Sequence, residues 1–502
     1  MNKTKLLLLL ACLPMSLWAQ ADRSTQLKNR LKGIDTLVQR VMSDWKVPGI
    51  AIAVVYKDQL LYTQGFGYRD LENKLPVTPH TVFHIASCSK AFTAMLVGMA
   101  ADQQLLDIGK PVRDYFPELA FYTPQLTSDV TAKDMLLHRT GLPRHDWATH
   151  AKDPLPMDTV IRRIRYLPPS KTFRDEVQYN NLLYMALGEL TSKVTGKSWE
   201  SLIQEKIFIP LQMEESSAAF NKLYDSKEYS KGYTLRADTF ATWGPPKEGA
   251  NAAGSLNASV WDMSHWLMAW INNGVYKGLQ VLPARFVREA SMPQMSTPSR
   301  PNPNFPAYPD HLFGDLGYGW NIHAYRGHFQ VEHSGDLPLF SSNTAFYPTD
   351  SIGIVVLANK FNATVPELIS YSLADRLLEL PYKDWNGLLW RRQHPVTTQN
   401  AQAASASPAP APAMTWPLQS YAGTYYHPGY GFIKLALVDG KLVATHNEAT
   451  FTCKPAGNNT FKADVPGGTL TATEDAQGRV IALSGLFYDV PERIVFVRQP
   501  GK

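Results

Sequence analysis

The chain has 502 residues, 44% of them hydrophobic and 19% charged, with a formal net charge of +5. That length allows two to four domains, and one large domain with a smaller companion also fits, while the apolar content implies that most of the chain folds around real cores. Lys3 and Lys5 supply part of the charge and no lysine/arginine block stands elsewhere, so neither nucleic acid nor an anionic membrane is expected as a partner.

Lys3 and Lys5 precede an apolar run from Leu6 to Leu13 that is too short to cross a bilayer, and Ala19-Gln20-Ala21 offers a cleavage site. Residues 1–21 are therefore expected to be a signal peptide, with the mature protein exported to the periplasm or beyond. A lipid anchor at Cys12 is the rival reading. No later apolar run approaches the roughly 20 residues of a spanning helix, so no stable membrane span is expected. Cys88 and Cys453 fall in what read as different domains, so a disulfide between them is not expected; Cys88 reads as a small buried filler.

Helical spacing runs over residues 22–45, with Leu27, Leu31, Ile34, Leu37 and Val41 on one stripe. Ile50 to Tyr56 reads as a strand, Lys57-Asp58 as a turn and Leu60 to Thr63 as the hairpin partner. Further helices are predicted from Thr131 to His138, stopped by Thr140-Gly141-Leu142-Pro143, from Asn181 to Thr195, and from Val260 to Ile271. Strands from Thr344 to Tyr347 and Ile352 to Leu357, then a helix from Pro366 to Leu380, close the pattern. Strands at both ends with helices between predict an α+β domain over 22–393. Residues 394–415 turn to Ala, Ser and Pro and read as a semi-rigid linker. Residues 416–502 alternate apolar and polar between turn signals, which predicts a small all-β sandwich or barrel.

Three short motifs carry chemistry. In His84-Ile85-Ala86-Ser87-Cys88-Ser89-Lys90, a helix opening at Ser87 places Lys90 one turn on, on the same face. A hydroxyl is inert without a base in reach. The apolar run Ala91 to Ala100 implies a buried helix, and a lysine at its start is expected to be desolvated, which lowers its pKa and makes it a usable base. A second Ser-x-x-Lys, Ser43-Asp44-Trp45-Lys46, sits at the polar end of a helix and reads as surface. Tyr179-Asn180-Asn181 offers a phenol whose phenolate a nearby ammonium would favour, and an amide able to hold a substrate carbonyl. Its bland reading is a loop tyrosine before a helix. His333-Ser334-Gly335, followed by Asp336, puts a donor and a glycine on a strand edge, where substrate can lie against backbone; its bland reading is a turn histidine.

In this order the motifs resemble the serine β-lactamase and penicillin-binding-protein superfamily, closest to its class C-like branch of D-aminopeptidases, carboxylesterases and alkaline D-peptidases. Val47-Pro48-Gly49-Ile50-Ala51, Leu136 to Pro143 and Gly254 to Ser259 are similar to connecting phrases of that branch. The resemblance covers about residues 30–385, and the C-terminal region is similar to the lipocalin-like barrel of some members. It implies an antiparallel sheet flanked by helices, an all-helical region and a small barrel. It also implies that Ser87 forms an acyl-enzyme, that Lys90 and Tyr179 share the base and acid roles in an order left open, and that Asn181 orients the substrate. The N–H groups of Ser87 and Asp336 would form the oxyanion hole, with His333 and Gly335 lining the substrate strand.

One departure matters: His333 stands where β-lactamases and transpeptidases usually carry lysine. A mostly neutral histidine gives less pull on a substrate carboxylate, which favours peptidase or esterase work over β-lactam hydrolysis. The expectation is an exported serine hydrolase acting on peptide-like amides or esters, with a small-molecule or peptide-like substrate. The rivals are an acyltransferase, a β-lactamase and a non-catalytic sensor on the same fold. No cofactor is implied. His80 and His84 have ligand-like spacing, but Pro79 and Thr81-Val82 argue for an extended stretch, so no metal is expected. His145-Asp146-Trp147 is expected at the cleft rim. The oligomeric state is open, and the barrel is expected either to limit substrate size or to add stability or assembly.

Overall fold

The computed structural model describes residues 22–149, 155–236, 239–242, 251–297, 311–362, 364–394, 414–463, 468–487 and 490–500. The expected leader and residues 395–413 of the expected linker lie outside them. The chain forms two compact units: one takes the described residues of 22–102, 199–246 and 254–394, the other those of 103–198, 247–253 and 395–502.

The first unit is built on a nine-stranded antiparallel sheet. The helix predicted over 22–45 is interrupted, because Gly33 adopts φ 77°, a conformation that suits a residue without Cβ. Helix α1 (Ile34–Trp45) starts there and buries Ile34, Val38, Val41 and Trp45. Strand β1 (Gly49–Tyr56) pairs with β2 (Gln59–Asp70), a longer partner than the hairpin spacing predicts, and with β5 (Ile352–Ala358). Strands β3 (His328–Leu337) and β4 (Phe340–Tyr347) continue the sheet beside β5. Asn321–Tyr325, His311–Leu316 and Met295–Thr297 extend it on one edge, and Leu75–Pro76 on the other.

Strand β1 is buried along its whole length, as a central strand covered on both faces must be. Its Ile50, Ile52, Val54 and Tyr56 join Val38, Val41 and Trp45 of α1 and Leu368, Leu373 and Leu377 of α5 (Thr364–Leu377) in one core. Each such aliphatic side chain contributes about 1.5–3 kcal/mol on burial. Helix α4 (Val260–Ile271) covers the other face of β1 and β5, where Gly353 leaves room for Leu267 and Ile271. Helix α2 (Ser89–Asp102) is buried from Ser89 to Ala100, the all-round apolar helix that the sequence predicts.

The second unit contains short helices Pro124–Asp129, Ala132–Leu136 and Met157–Ile164, and the longer α3 (Asn181–Thr195). With them stands a closed eight-stranded barrel, from Gly423–His427 to Ile494–Arg498. Alternation drives it: along Gly431–Val438, Ile433 and Leu435 point inward and are buried, while Phe432 is exposed. Closure comes from Tyr425 opposite Arg498 and Tyr426 opposite Val497, which pairs the two edge strands.

Candidate active site

In the first unit a three-residue helical turn, Ala86–Cys88, carries Ser87 just ahead of α2. Lys90 Nζ donates to Ser87 Oγ at 3.2 Å, the reach that one helical turn predicts. Lys90 is fully buried while Ser87 stays half-buried, so the hydroxyl is reachable and the amine behind it is not. Ala86 holds φ 48°, a left-handed conformation rare for a residue with Cβ, which puts local backbone strain beside the nucleophile candidate. The turn is tied down on several sides. Ile85 N–H donates to Leu256 O at 3.0 Å, Leu256 N–H donates to Ser89 Oγ at 3.2 Å, and Ser342 Oγ donates to Ile85 O at 2.8 Å.

Cys88 lies under this turn. Its thiol donates to the His333 carbonyl at 3.1 Å, and burial pushes its pKa up to about 11, so it is an inert packing group. Cys453 is also a free, buried thiol.

Strand β3 runs against the turn at Gly335. A Cβ there would sit 2.3 Å from the Ile85 oxygen and 2.4 Å from Ser342 Oγ, so only glycine lets β3 approach this closely. His333 shares the face of Gly335 by alternation; Glu332, Ser334 and Asp336 share the opposite face. Burial pushes the Asp336 carboxyl up to about 6, and its Oδ1 has no hydrogen-bond partner among the described residues. The Asp336 side chain thus leaves the face of His333, which leaves its N–H as the group that the family resemblance concerns.

His333 is buried, and its Nδ1 donates to Ser334 O at 2.6 Å, which fixes the proton on Nδ1. Burial, and then the charge of Lys90, lower its pKa to about 4, against a smaller opposing pull from Glu332. The imidazole therefore stays neutral through the range in which a free histidine titrates. An imidazole-nitrogen NMR titration should show no protonation of His333 between about pH 5 and 8. A midpoint near 6.5 would contradict its burial.

Tyr179 and Asn181 belong to the second unit. Asn180, fully buried between them, caps α3: its Oδ1 accepts from Leu183 N at 2.9 Å and its Nδ2 donates to Pro143 O at 2.5 Å. The Asn180 N–H donates to His138 Nδ1 at 3.1 Å, and the His138 ring lies 4.5 Å from that of Tyr179. The Arg144 guanidinium sits 5.1 Å above the Tyr179 ring. Asn181 Nδ2 donates to Asp146 Oδ1 at 3.1 Å, and Arg144 Nε donates to Asp146 Oδ2 at 2.8 Å. The cap anchors Asn180, the last extended residue, with Tyr179 directly before it and Asn181, the first helical residue, directly after it.

A beta-lactamase family model matches residues 34–379, well over half of the chain. The chain belongs to the beta-lactamase family. It is 30% identical over 462 residues to unguisins hydrolase ungD of Aspergillus violaceofuscus, covering 83% of this chain and 78% of that protein. Its fold is shared with the octameric penicillin-binding protein homologue from Pyrococcus abyssi, at a TM-score of 0.63 and 21% identity, over 92% of this chain and 99% of the other. A class C beta lactamase from Rhodobacter sphaeroides matches at a TM-score of 0.55 and 20% identity, over 69% of this chain and 99% of the other.

Within this beta-lactamase-family chain, several supporting residues escape sequence reasoning. Gly319, at φ 76°, lies where a Cβ would meet the Lys90 carbonyl at 2.9 Å, yet nothing in Tyr318-Gly319-Trp320 signals that contact. His138 sits inside the family-like phrase Leu136 to Pro143, Arg144 directly follows it, and Asp146 is named from sequence only for the cleft rim, so their contacts with Tyr179 and Asn181 had no local signal beyond their polar types. Of His145-Asp146-Trp147, the stretch expected at the cleft rim, His145 and Trp147 are 0% and 8% exposed, while Asp146 accepts from Asn181. The second Ser-x-x-Lys is different: Ser43 and Lys46 are exposed. His84 is buried and stacked on Phe220 at 3.9 Å, whereas His80 pairs with Glu215 at 2.6 Å. Among the described residues no group of His, Cys, Asp and Glu is arranged to hold a metal ion, and no helix is long and apolar enough to cross a membrane.

Proposed function

We propose that this protein is a serine hydrolase that cleaves peptide-like amides or esters through an acyl-enzyme at Ser87. The observation that carries the reading is the 3.2 Å contact of Lys90 Nζ with Ser87 Oγ, made by a fully buried lysine to a reachable hydroxyl. In this reading the Ser87 proton passes to the Lys90 amine, which reacts from its uncharged form, as Oγ bonds to the substrate carbonyl carbon. The leaving amine or alcohol departs with the proton that Lys90 had taken, and water then cleaves the acyl ester, its proton returning to the Ser87 oxygen. Tyr179 takes the second proton-transfer role and Asn181 orients the carbonyl group, as the Tyr-x-Asn motif implies.

The neutral His333 favours substrates that need no strong cationic clamp on a carboxylate, which turns the reading toward peptidase or esterase work and away from β-lactams. Similarity to a relative named as a hydrolase supports the reaction class. Export after removal of residues 1–21 is part of the same proposal. The test is intact-mass spectrometry after brief exposure to a p-nitrophenyl ester or a fluorophosphonate. A single adduct mapped to Ser87, and absent from folded Ser87→Ala, is the expected result. An unlabelled, folded wild-type protein would sink the hydrolase reading.

A further inference from the structure

Residues 144–147 of the second unit face two ways in turn. Arg144 and Asp146 engage Tyr179 and Asn181 through the ring contact and hydrogen bonds given above. The residues between and after them, His145 and Trp147, engage the barrel instead.

His145 is fully buried and takes φ 50°, a left-handed conformation that a residue with Cβ holds only when its surroundings impose it. Both ring nitrogens are used. Nε2 lies 3.0 Å from the Pro168 carbonyl, which can only accept, so Nε2 carries the proton; Nδ1 then accepts from the Tyr430 hydroxyl of the barrel at 2.7 Å. Trp147 enters the barrel's aromatic group, stacked on Phe487 at 4.9 Å, beside His446 at 5.4 Å and edge-on to Phe451 at 5.7 Å. Arg163 closes the arrangement by donating to the Ala148 carbonyl and, at 3.3 Å, to Asn447 Oδ1.

From this alternation we infer that the barrel is a positioning element for catalysis. It clamps His145 and Trp147, and the clamp fixes Arg144 and Asp146, which hold Tyr179 and Asn181 in place. The inference rests on the reading of Tyr179 and Asn181 as site residues. It gives the barrel a role different from limiting substrate size, in which Tyr430 and Trp147 act through the loop. A catalytic group displaced by about 1 Å loses on the order of a hundredfold in rate, so a clamp of this kind has leverage on turnover.

The test uses full-length protein, with p-nitrophenyl acetate as substrate and fluorophosphonate labelling to count working Ser87 sites. Trp147→Ala should lower kcat per labelled site by about 10- to 100-fold with KM changed less than about threefold, Tyr430→Phe should lower it less, and Trp147→Phe should recover most of the loss. A barrel that merely stabilises the fold would reduce the number of labelled sites and leave turnover per site untouched. That outcome in Trp147→Ala, or in Tyr430→Phe if Trp147→Ala does not fold, overturns the inference. Absence of Ser87 labelling in wild type would instead overturn the hydrolase reading beneath it.

Discussion

Lys90→Met is expected to slow acylation of Ser87 by roughly 10²–10⁴-fold, the range that a positioned general base contributes. Methionine nearly matches the length of lysine and suits an apolar site, so the variant should fold and melt at or above the wild-type temperature. A loss of rate without loss of stability separates a chemical role for Lys90 from a structural one. Lys90→Arg sharpens the test, because a guanidinium keeps the charge but cannot accept a proton. If the amine acts as a base, Lys90→Arg is as slow as Lys90→Met. Recovery of acylation in Lys90→Arg would mean that Lys90 serves only as a positive charge near Ser87. Stopped-flow release of p-nitrophenol measures the step directly.

The largest expected effect on stability is at Asp134, in the second unit. Its carboxylate is fully buried and accepts from Arg139 Nε at 2.7 Å, Arg174 Nε at 2.9 Å and the Thr131 hydroxyl at 2.8 Å. It also closes the capping box of the helix Ala132–Leu136. Burial alone would raise its pKa, but the hydrogen bonds from Arg174 and Thr131 and the charge of Arg139 outweigh burial and hold the carboxyl below the usual range. Asp134→Ala strands Arg139, whose side chain is only 18% exposed, and should cost about 3 kcal/mol; the greater exposure of Arg174 keeps the figure at the lower end for a broken buried pair.

The pH dependence follows from the sign of the shift. With a folded pKa below the unfolded one, the Asp134 carboxylate contributes its full stability above about pH 4 and loses it as pH falls through the folded pKa. The gap in melting temperature between wild type and Asp134→Ala should therefore be constant from neutral pH down to about 4 and narrow below it. A gap that widens on acidification would contradict the assignment. Because Arg174 lies five residues before Tyr179, the same variant tests how far that segment depends on the buried ion cluster.

Much of this protein is legible in its sequence because the signals are local. The Ser87–Lys90 contact follows from helical spacing, helices α3 and α4 have the predicted bounds, and alternation with regular turns marks the C-terminal region as a small sandwich or barrel, which the structure closes into a barrel. The interruption at Gly33 and the full length of β2 are less legible, since a left-handed residue and an added strand pair depend on neighbours far along the chain.

Other features were decided only by tertiary structure. That Gly335 must be glycine depends on the Ile85 carbonyl, 250 positions earlier, and that Gly319 must be depends on Lys90. The neutral state of His333 comes from burial and from the charge of Lys90, neither of which has a pattern in the neighbourhood of His333. The inward turn of His145 and Trp147 depends on Tyr430 and Phe487, hundreds of residues away. The sequence by itself determined which groups could do chemistry and which stretches form regular elements, because propensity and periodicity act over a few residues. Close approach, desolvation and the pairing of a loop with a barrel arise only when distant segments meet, and those decided what surrounds the chemistry.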